Sequence, residues 1–268
     1  MRCDLKNKTV IVTGASSGIG RAISELLISK YACTVYGVAR RGELLNEIRD
    51  SLGEKFVPCA FDACEKESWS TLAGELESDG VCVDALISCA GVLPKFASVE
   101  LTSSEDFERV MQINFFAQVY ANEALLPIIK KSPHGAIIGF SSSSALCPFA
   151  GVSAYCASKS AIQRYYECFA RENKDIYVAT VMNGFVKTDI MKNQNASNRD
   201  TRLFLRACAD LDRTVSKIVK KIRRGRSRII VGADAHLMSL MYRLCPRLAP
   251  KIISSFLRKT GLEIFKDI

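Results

Sequence analysis

A tyrosine and a lysine four residues apart are the strongest candidates for chemistry in this sequence. Tyr155 and Lys159 lie in the segment YCASK at the start of a long predicted helix, and the i, i+4 spacing places phenol and ammonium on one face. A phenol ionises near pH ~10, and a nearby cation favours the phenolate and lowers that pKa. Ser142 follows the segment AIIGF and can donate a hydrogen bond to a substrate oxygen. The three residues together predict proton transfer at an oxygen.

A glycine-rich turn between the first predicted strand and the first predicted helix indicates a dinucleotide site. The strand TVIVT leads into a turn with the spacing GxxxGxG. Such a turn brings the backbone close to a phosphate and directs a helix N-terminus at the anion. The turn residues predicted to contact the cofactor are Gly14, Ser16, Ser17, Gly18, Ile19 and Gly20.

The end of the second predicted strand indicates which dinucleotide binds. It reads Val38-Ala39-Arg40-Arg41, with no acidic residue. An acid at this point would bind the ribose 2′-hydroxyl of NAD, whereas an arginine accommodates the 2′-phosphate of NADP. Arg40 and Arg41 therefore predict NADP(H) as the cofactor.

Short apolar runs alternate with helical patterns along the chain, which predicts an α/β fold with one doubly wound, Rossmann-type parallel sheet of about seven strands and helices on both faces. The predicted strands are Thr9–Thr13, Thr34–Val38, Phe56–Phe61, Ala85–Ser88, Ala136–Phe140, Ile176–Val181 and Ile229–Val231. The predicted helices are Ile19–Ser29, Glu43–Leu52, Lys66–Glu77, Ser104–Ile129, Ala154–Asn173 and Asp210–Arg223.

Taken together, these motifs resemble the short-chain dehydrogenase/reductase family over about residues 5–232. The resemblance is carried by TGASSGIG at 13–20, Asp62, SCAG at 88–91, Asn114, Ser142, YCASK at 155–159 and NGFVKTD at 183–189. It implies that Tyr155 is the acid in carbonyl reduction and the base in alcohol oxidation. It also implies that Ser142 polarises the substrate oxygen and that Lys159 holds the nicotinamide ribose.

The resemblance implies further contacts around the cofactor. Asn114 would complete a proton relay through water, Asp62 would lie near the adenine, and Thr188 would contact the carboxamide end of the nicotinamide. The remaining residues of the implied cofactor site are Ala90, Gly91 and Val186.

Two positions depart from the family pattern. Ser88 and Cys89 stand where the family usually has two asparagines, which brace the central sheet, so local packing is affected more than chemistry. Asn183-Gly184 replaces a Pro-Gly pair, and this change is expected to loosen the path to the nicotinamide.

Composition argues against several other classes of protein. The formal charge is +9, but a basic run without interleaved aromatic residues is typical of a solvated helix face and not of a nucleic-acid site. Eleven cysteines without a CxxC pair, and only two histidines, predict no metal site. The N-terminus has no apolar signal core and no apolar run approaches the ~20 residues of a membrane span, which predicts a cytoplasmic protein.

Two segments fall outside the strand–helix alternation. Residues 189–209 begin with a polar, Asn-rich stretch that is typical of a mobile loop. Residues 233–268 form an amphipathic extension to a catalytic domain of residues 1–232. The apolar stripe of this extension could cap the substrate cleft, contact a partner subunit of a homodimer or homotetramer, or lie on an anionic membrane. We rank the membrane third, because the polar face is not uniformly basic and the helices are short.

The sequence thus predicts an NADP(H)-dependent oxidoreductase that interconverts a carbonyl and a secondary alcohol. The substrate is expected to be hydrophobic, such as a steroid, lipid or aromatic ketone. The residues expected in an apolar pocket wall are Met191, Leu203, Phe204, Leu205, Leu237, Met238 and Met241. One alternative is a sugar-nucleotide epimerase-like enzyme, for which the extension is short, and another is a non-catalytic NADP(H) sensor or scaffold.

Overall fold

Seven strands form a single parallel sheet in the computed structural model, which describes residues 3–188, 197–266 and 268. The strands are β1 (Thr9–Thr13), β2 (Thr34–Ala39), β3 (Phe56–Ala60), β4 (Ala85–Ser88), β5 (Ala136–Phe140), β6 (Tyr177–Asn183) and β7 (Arg228–Val231). Their order across the sheet is β3-β2-β1-β4-β5-β6-β7. The predicted doubly wound sheet is confirmed, and its strands begin and end within two residues of the predicted positions.

Helices cover both faces of the sheet. They are α1 (Gly18–Tyr31), α2 (Gly42–Leu52), α3 (Lys66–Ser78), α4 (Ser104–Met111), α5 (Ala117–Ile129), α6 (Ser153–Glu172), α7 (Asn198–Ala207), α8 (Leu211–Arg223), α9 (Ala233–Leu244) and α10 (Ala249–Lys259). On one face, α1 and α8 bury Leu27 and Ile218 against the strands. On the other, α3, α5 and α6 bury Leu72, Leu125 and Ile162. Because both faces are covered, the strands are almost continuously apolar.

The strand order reverses between β1 and β4, at the centre of the sheet. β1 pairs with β2 on one side and with β4 on the other, so the chain leaves the carboxyl ends of β1 and β4 in opposite directions. A crevice at such a switch point is where open α/β sheets bind ligands. The glycine-rich turn follows β1, and Ala90 and Gly91 follow β4.

Two predicted segments differ from the structure. The single helix predicted over Ser104–Ile129 is α4 and α5 joined by a π-helical turn, Gln112–Phe116, which includes Asn114. The loop predicted across 189–209 is wrong for its second part, which is α7. Ser197 begins this helix by accepting a hydrogen bond from Asp200 N at 3.2 Å. Residues 189–196, among them Met191, lie outside the described residues.

The C-terminal helices pack on the same chain as the sheet. Leu257 of α10 and Phe265 beyond it join a buried apolar cluster with Leu93, Phe96 and Phe204. The division into 1–232 and 233–268 stays a prediction. No helix among the residues described is long and apolar enough to cross a bilayer.

Candidate active site

The glycine-rich turn leaves no room for side chains. Gly14 and Gly18 adopt φ values of +67° and +54°, a region that favours glycine. A Cβ on Gly14 would lie 3.1 Å from the backbone of Ala90, and one on Gly20 would overlap the carbonyl oxygen of Gly14. Ser17 precedes α1 without capping it through its side chain, which leaves the first N–H groups of the helix available to an anion. The turn therefore fits a dinucleotide phosphate.

The two arginines after β2 lie in different environments. The Nη2 atom of Arg41 donates to the hydroxyls of Ser16 and Ser17 at 3.0 and 3.1 Å. The Arg40 side chain is 69% exposed, with its Nη1 atom 3.8 Å from a carboxylate oxygen of Asp62. These residues line one groove with Ala90 and Gly91. Arg41 is thus held over the turn, whereas Arg40 extends into solvent.

Ser142 follows the end of β5, and Tyr155 lies in the first turn of α6. The Ser142 hydroxyl accepts from Ser144 N at 3.2 Å, and Ser142 lines the same cleft as Tyr155. Lys159, one helical turn after Tyr155, is buried and donates from Nζ to the carbonyl oxygen of Phe140 at 3.0 Å. Its Nζ atom lies 5.7 Å from the centre of the Tyr155 ring. The three predicted residues are brought together in one cleft.

Burial controls the ionisation of this group. It raises the pKa of Tyr155 to about 12, and the neighbouring Ser142 side chain lowers that pKa by a smaller amount. Burial also lowers the pKa of Lys159 to about 8. The expectation that the lysine lowers the pKa of the phenol is therefore wrong for this structure, because desolvation disfavours both charged forms. The phenol is neutral and can donate a proton.

Asn114 is fully buried in the π-helical turn and connects two elements of the site. Its Oδ1 atom accepts from Val92 N at 2.7 Å, and its Nδ2 atom donates to Val92 O and to the Ser158 hydroxyl, both at 3.0 Å. These bonds tie the segment after β4 to α6. A π-helical turn inside a helix is common at functional sites. The role of Asn114 in a proton relay stays a prediction.

The segment after β6 lies beside the glycine-rich turn. Val186 and Thr188 line the cleft with Ile19. A Cβ on Gly18 would lie 3.5 Å from Cγ2 of Thr188, which is an ordinary van der Waals distance and shows that the two segments are neighbours. The positions of Val186 and Thr188 fit the predicted nicotinamide side, and their contacts with a cofactor stay predictions.

No pattern in the sequence pointed to Asp234, which holds the segment after β6. Its Oδ2 atom accepts from Phe185 N at 2.7 Å, and a Cβ on Gly184 would overlap the carboxylate. The replacement of Pro-Gly by Asn183-Gly184 predicted a looser path to the nicotinamide. The carboxylate counters that loosening, because it holds the backbone that a proline would have stiffened.

Aromatic and aliphatic side chains cover the other half of the cleft. Its apolar lining consists of Leu93, Phe96, Phe149, Val152, Phe185 and Phe204. Phe185 contacts Phe204 edge-to-face at 5.2 Å between ring centres, and Phe204 contacts Phe265 at 5.9 Å. Of the predicted wall residues, Phe204 lines the cleft, and Leu205, Met238 and Met241 belong to the adjoining cluster. Leu203 and Leu237 are 43% and 57% exposed and belong to neither set.

The thiols near the site are not activated. Burial raises the pKa of both Cys89 and Cys156, so neither is a thiolate at neutral pH. Within 3–188, 197–266 and 268, no group of three or more His, Cys, Asp or Glu side chains could hold a metal ion. The polar side chains that line the cleft include hydroxyl, amide and ammonium groups.

Comparisons with known proteins agree with this geometry. A sequence model of the short chain dehydrogenase family matches residues 8–199. Benzil reductase ((S)-benzoin forming) IRC24 of Saccharomyces cerevisiae is 31% identical over 195 residues, 69% of this chain and 74% of that protein. The 11-beta-hydroxysteroid dehydrogenase-like 2 protein of Arabidopsis thaliana is 28% identical over 93% of this chain and 82% of its own length. A short-chain dehydrogenase structure from Streptomyces avermitilis has a TM-score of 0.79 at 25% identity, covering 94% of this chain and 99% of that one. Because the family match extends over more than half of the sequence, the chain belongs to the short-chain dehydrogenase family of oxidoreductases.

Proposed function

We propose that this protein is an NADP(H)-dependent oxidoreductase that interconverts a carbonyl and a secondary alcohol on a hydrophobic small molecule. The observation that carries the proposal is the meeting of Ser142, the half-buried phenol of Tyr155 and the buried Lys159 in one cleft with a largely apolar wall. A neutral phenol with a donor beside it is arranged to protonate an oxygen that develops negative charge.

The proton chemistry follows from the positions of the three side chains. Tyr155 donates its proton to the substrate oxygen during reduction, and Ser142 donates a second hydrogen bond that stabilises the charge on that oxygen. The Lys159 ammonium, held by the Phe140 carbonyl at 3.0 Å, adds a positive charge near the phenol. When bound, the nicotinamide supplies the hydride in reduction and accepts it in oxidation.

The preference for NADP(H) rests on Arg41. Its guanidinium already bonds to two hydroxyls of the glycine-rich turn, Ser16 and Ser17, and these hydroxyls can bond to the same phosphate. A planar guanidinium is suited to a phosphate dianion, and no acid stands after β2 to repel one. Arg40, with Asp62 beside it, would bind more weakly because it is mostly exposed.

The aromatic half of the cleft supports an apolar substrate. Its rings offer dispersion contacts but few hydrogen-bond partners, which favours a steroid, lipid or aromatic ketone over a sugar. Two relatives have names that agree with this class, since benzil and hydroxysteroids are largely apolar.

The test is an NADPH-consumption screen over aromatic diketones, steroids, quinones, short ketones and sugars. We expect turnover with one or more apolar carbonyl compounds and none with sugars. NADPH binding without turnover of any compound would favour a non-catalytic sensor, and turnover confined to sugars would contradict the substrate class. NADH used as well as NADPH would contradict only the cofactor assignment.

A further inference from the structure

The outer sides of α9 and α10, with the residues that join them, carry most of the large hydrophobic side chains that are exposed among the described residues. Within the described ranges, eleven such side chains are exposed, and seven of them fall between residues 237 and 256. They are Leu237, Leu240, Tyr242, Leu244, Leu248, Ile252 and Phe256. Leu244 and Phe256 are 71% and 67% exposed. We call these seven residues the outer apolar face; a concentration of this kind marks an interaction site.

The inner sides of the same helices are already occupied. Met238 of α9 and Ala249 and Leu257 of α10 are buried in the cluster that includes Phe204 and Phe265. The two helices also pack against each other. Capping of the cleft, one of the two roles ranked above the membrane for this extension, therefore uses only the inner side chains and leaves the outer apolar face without a partner in the described chain.

The charged residues of the segment that carries the outer apolar face have one sign. Between Asp234 and Glu263 the sequence has no acidic residue, and its basic residues are Arg243, Arg247, Lys251, Arg258 and Lys259. All five are exposed. The flanking acids are engaged elsewhere: Asp234 accepts from Phe185 N, and Glu263 accepts from Ser197 N at 3.1 Å.

We propose that the outer apolar face docks on an anionic lipid membrane surface. Short helices that present Leu, Ile and Phe beside Lys and Arg lie in the interface of a bilayer, with the apolar side chains among the acyl chains and the cations at the headgroups. Arg258 donates from Nε to the Ile268 oxygen at 2.8 Å, and anionic lipid supplies negative charge for the basic residues of this segment, which contains no acid of its own.

A second copy of this chain is a poorer occupant of the same face. A twofold contact would bring the same surface of each copy together. Because that surface has basic residues and no acidic residue, the two sets of cations would repel each other. The lipid proposal does not depend on the proposed enzymatic activity, since binding to vesicles is measured without substrate.

The test measures partition of the full chain between buffer and vesicles by flotation. Two vesicle types are compared, phosphatidylcholine alone and phosphatidylcholine mixed with phosphatidylserine. We expect binding to the anionic vesicles, weak binding to the neutral ones, and release as salt is raised. The double variant Leu244→Glu/Phe256→Glu should lower the partition coefficient by about tenfold or more, because it places two carboxylates in the apolar layer.

Matched controls distinguish binding through this face from nonspecific hydrophobic binding and from binding by the total charge of the protein. Val99→Glu/Leu101→Glu changes two side chains that are 62% and 66% exposed at another site, and it should leave binding unchanged. Removing three cations with Arg243→Gln/Arg247→Gln/Lys251→Gln should lower binding roughly a hundredfold, at about fivefold for each basic residue near the surface. Lys217→Gln/Lys220→Gln/Arg224→Gln removes the same charge from α8 and should have a much smaller effect. Unchanged thermal unfolding shows that each variant is folded.

Three results would overturn the proposal. Equal losses from the two triple variants would mean that total charge, and not this face, binds the vesicles. Absence of vesicle binding by the unmodified chain would exclude the lipid surface. If that chain were also a dimer that Leu244→Glu/Phe256→Glu converts to a monomer, the face would be a subunit contact instead.

Discussion

The cofactor half of the cleft, around the Gly14–Gly20 turn, and the substrate half, around Phe204, are built from different interactions. The cofactor half consists of backbone close contacts and short hydrogen bonds, such as those from Arg41 to Ser16 and Ser17. The substrate half consists of rings packed edge-to-face, contributed by segments as far apart in sequence as Phe96 and Phe265.

This difference decides how each half responds to change. Hydrogen bonds and charge contacts require particular atoms at particular positions. One substitution in the polar half therefore removes one defined contact and the proton transfer or cofactor binding that depends on it. Apolar packing requires volume and shape, so the loss of one ring is partly compensated by its neighbours. We therefore expect large, specific losses on the polar side and small, substrate-dependent changes on the apolar side.

The largest effect is expected for Tyr155→Phe. Removal of the hydroxyl removes the proton donor, which should lower turnover by roughly 10²–10⁴-fold, while the dissociation constant for NADPH stays the same because the phosphates bind elsewhere. Single-turnover reduction and a fluorescence titration measure the two quantities. Tyr165→Phe is the control. It also removes a phenol hydroxyl from α6, but that hydroxyl accepts a hydrogen bond from Asn122 Nδ2 at 3.3 Å. Retention of more than about a tenth of the rate would exclude Tyr155 as the donor.

Arg41→Ala should produce the next largest loss. A charge-assisted bond to phosphate contributes about 1.5–3 kcal/mol, so the ratio of kcat/KM for NADPH to that for NADH should fall about ten- to a hundredfold. Arg40→Ala should change the ratio less, because its side chain is 69% exposed. A larger loss from Arg40 than from Arg41 would move the phosphate contact to the exposed arginine.

The sequence predicted the polar half well because its requirements are local. A tight turn at the end of β1 needs glycines at fixed intervals, and a phenol and an ammonium on one helix face need a spacing of four residues. The seven strands were predicted to within two residues for a related reason. Strands buried on both faces are almost entirely apolar, and such short apolar runs are easy to separate from amphipathic helices.

The features that the sequence did not predict depend on contacts between segments that are distant in sequence. Asp234 accepts a hydrogen bond from Phe185 N, which is 49 residues away in sequence, and no sequence spacing predicts such a pair. The helix α7 was predicted as part of a loop because its polar residues conceal a single buried ring, Phe204. The π-helical turn at Asn114 was predicted as ordinary helix, and the bonds of that side chain to Val92, 22 residues away, are contacts that a local helical pattern does not reveal.

The pH dependence of reduction tests the buried charge between the two halves. Burial lowers the pKa of Lys159 to about 8, so the cation is present below that pH and is lost above it. The rate, as kcat/KM for NADPH, should therefore fall on the alkaline side by about tenfold for each pH unit above the pKa. Tyr155, whose pKa burial raises to about 12, stays protonated over this range and does not cause the fall.

Lys159→Arg is the control for this assignment. A guanidinium keeps its charge above pH 12 or so, and the alkaline fall should move to higher pH or disappear even if the maximal rate is lower. An unchanged alkaline limb in this variant would assign the fall to another group.

Asp234→Ala should weaken the nicotinamide side without touching the phosphate site. It removes the acceptor of the bond from Phe185 N, and a bond to a charged group contributes about 1.5–3 kcal/mol. Part of that loss falls on stability, so we expect a lower Tm together with a KM for NADPH raised by roughly tenfold. Asp234→Asn keeps an oxygen acceptor and should behave more like the unmodified protein. Equal behaviour of the alanine and asparagine variants would show that the bond does not hold the segment.

The smallest effect is expected on the apolar side, for Phe204→Leu. The Phe204 ring contacts Phe185 and Phe265 edge-to-face at 5.2 and 5.9 Å between ring centres. Such pairs contribute about 0.5–1.5 kcal/mol beyond the area they bury, so the KM for an apolar ketone should rise about two- to tenfold. The KM for NADPH should not change, because the ring contacts of Phe204 are with Phe185 and Phe265. Leu203→Ala is the control on the same helix, since that side chain is 43% exposed and does not line the cleft. If Phe204→Leu raised the KM for NADPH and left that for the ketone unchanged, the division of the cleft into a polar cofactor half and an apolar substrate half would be wrong.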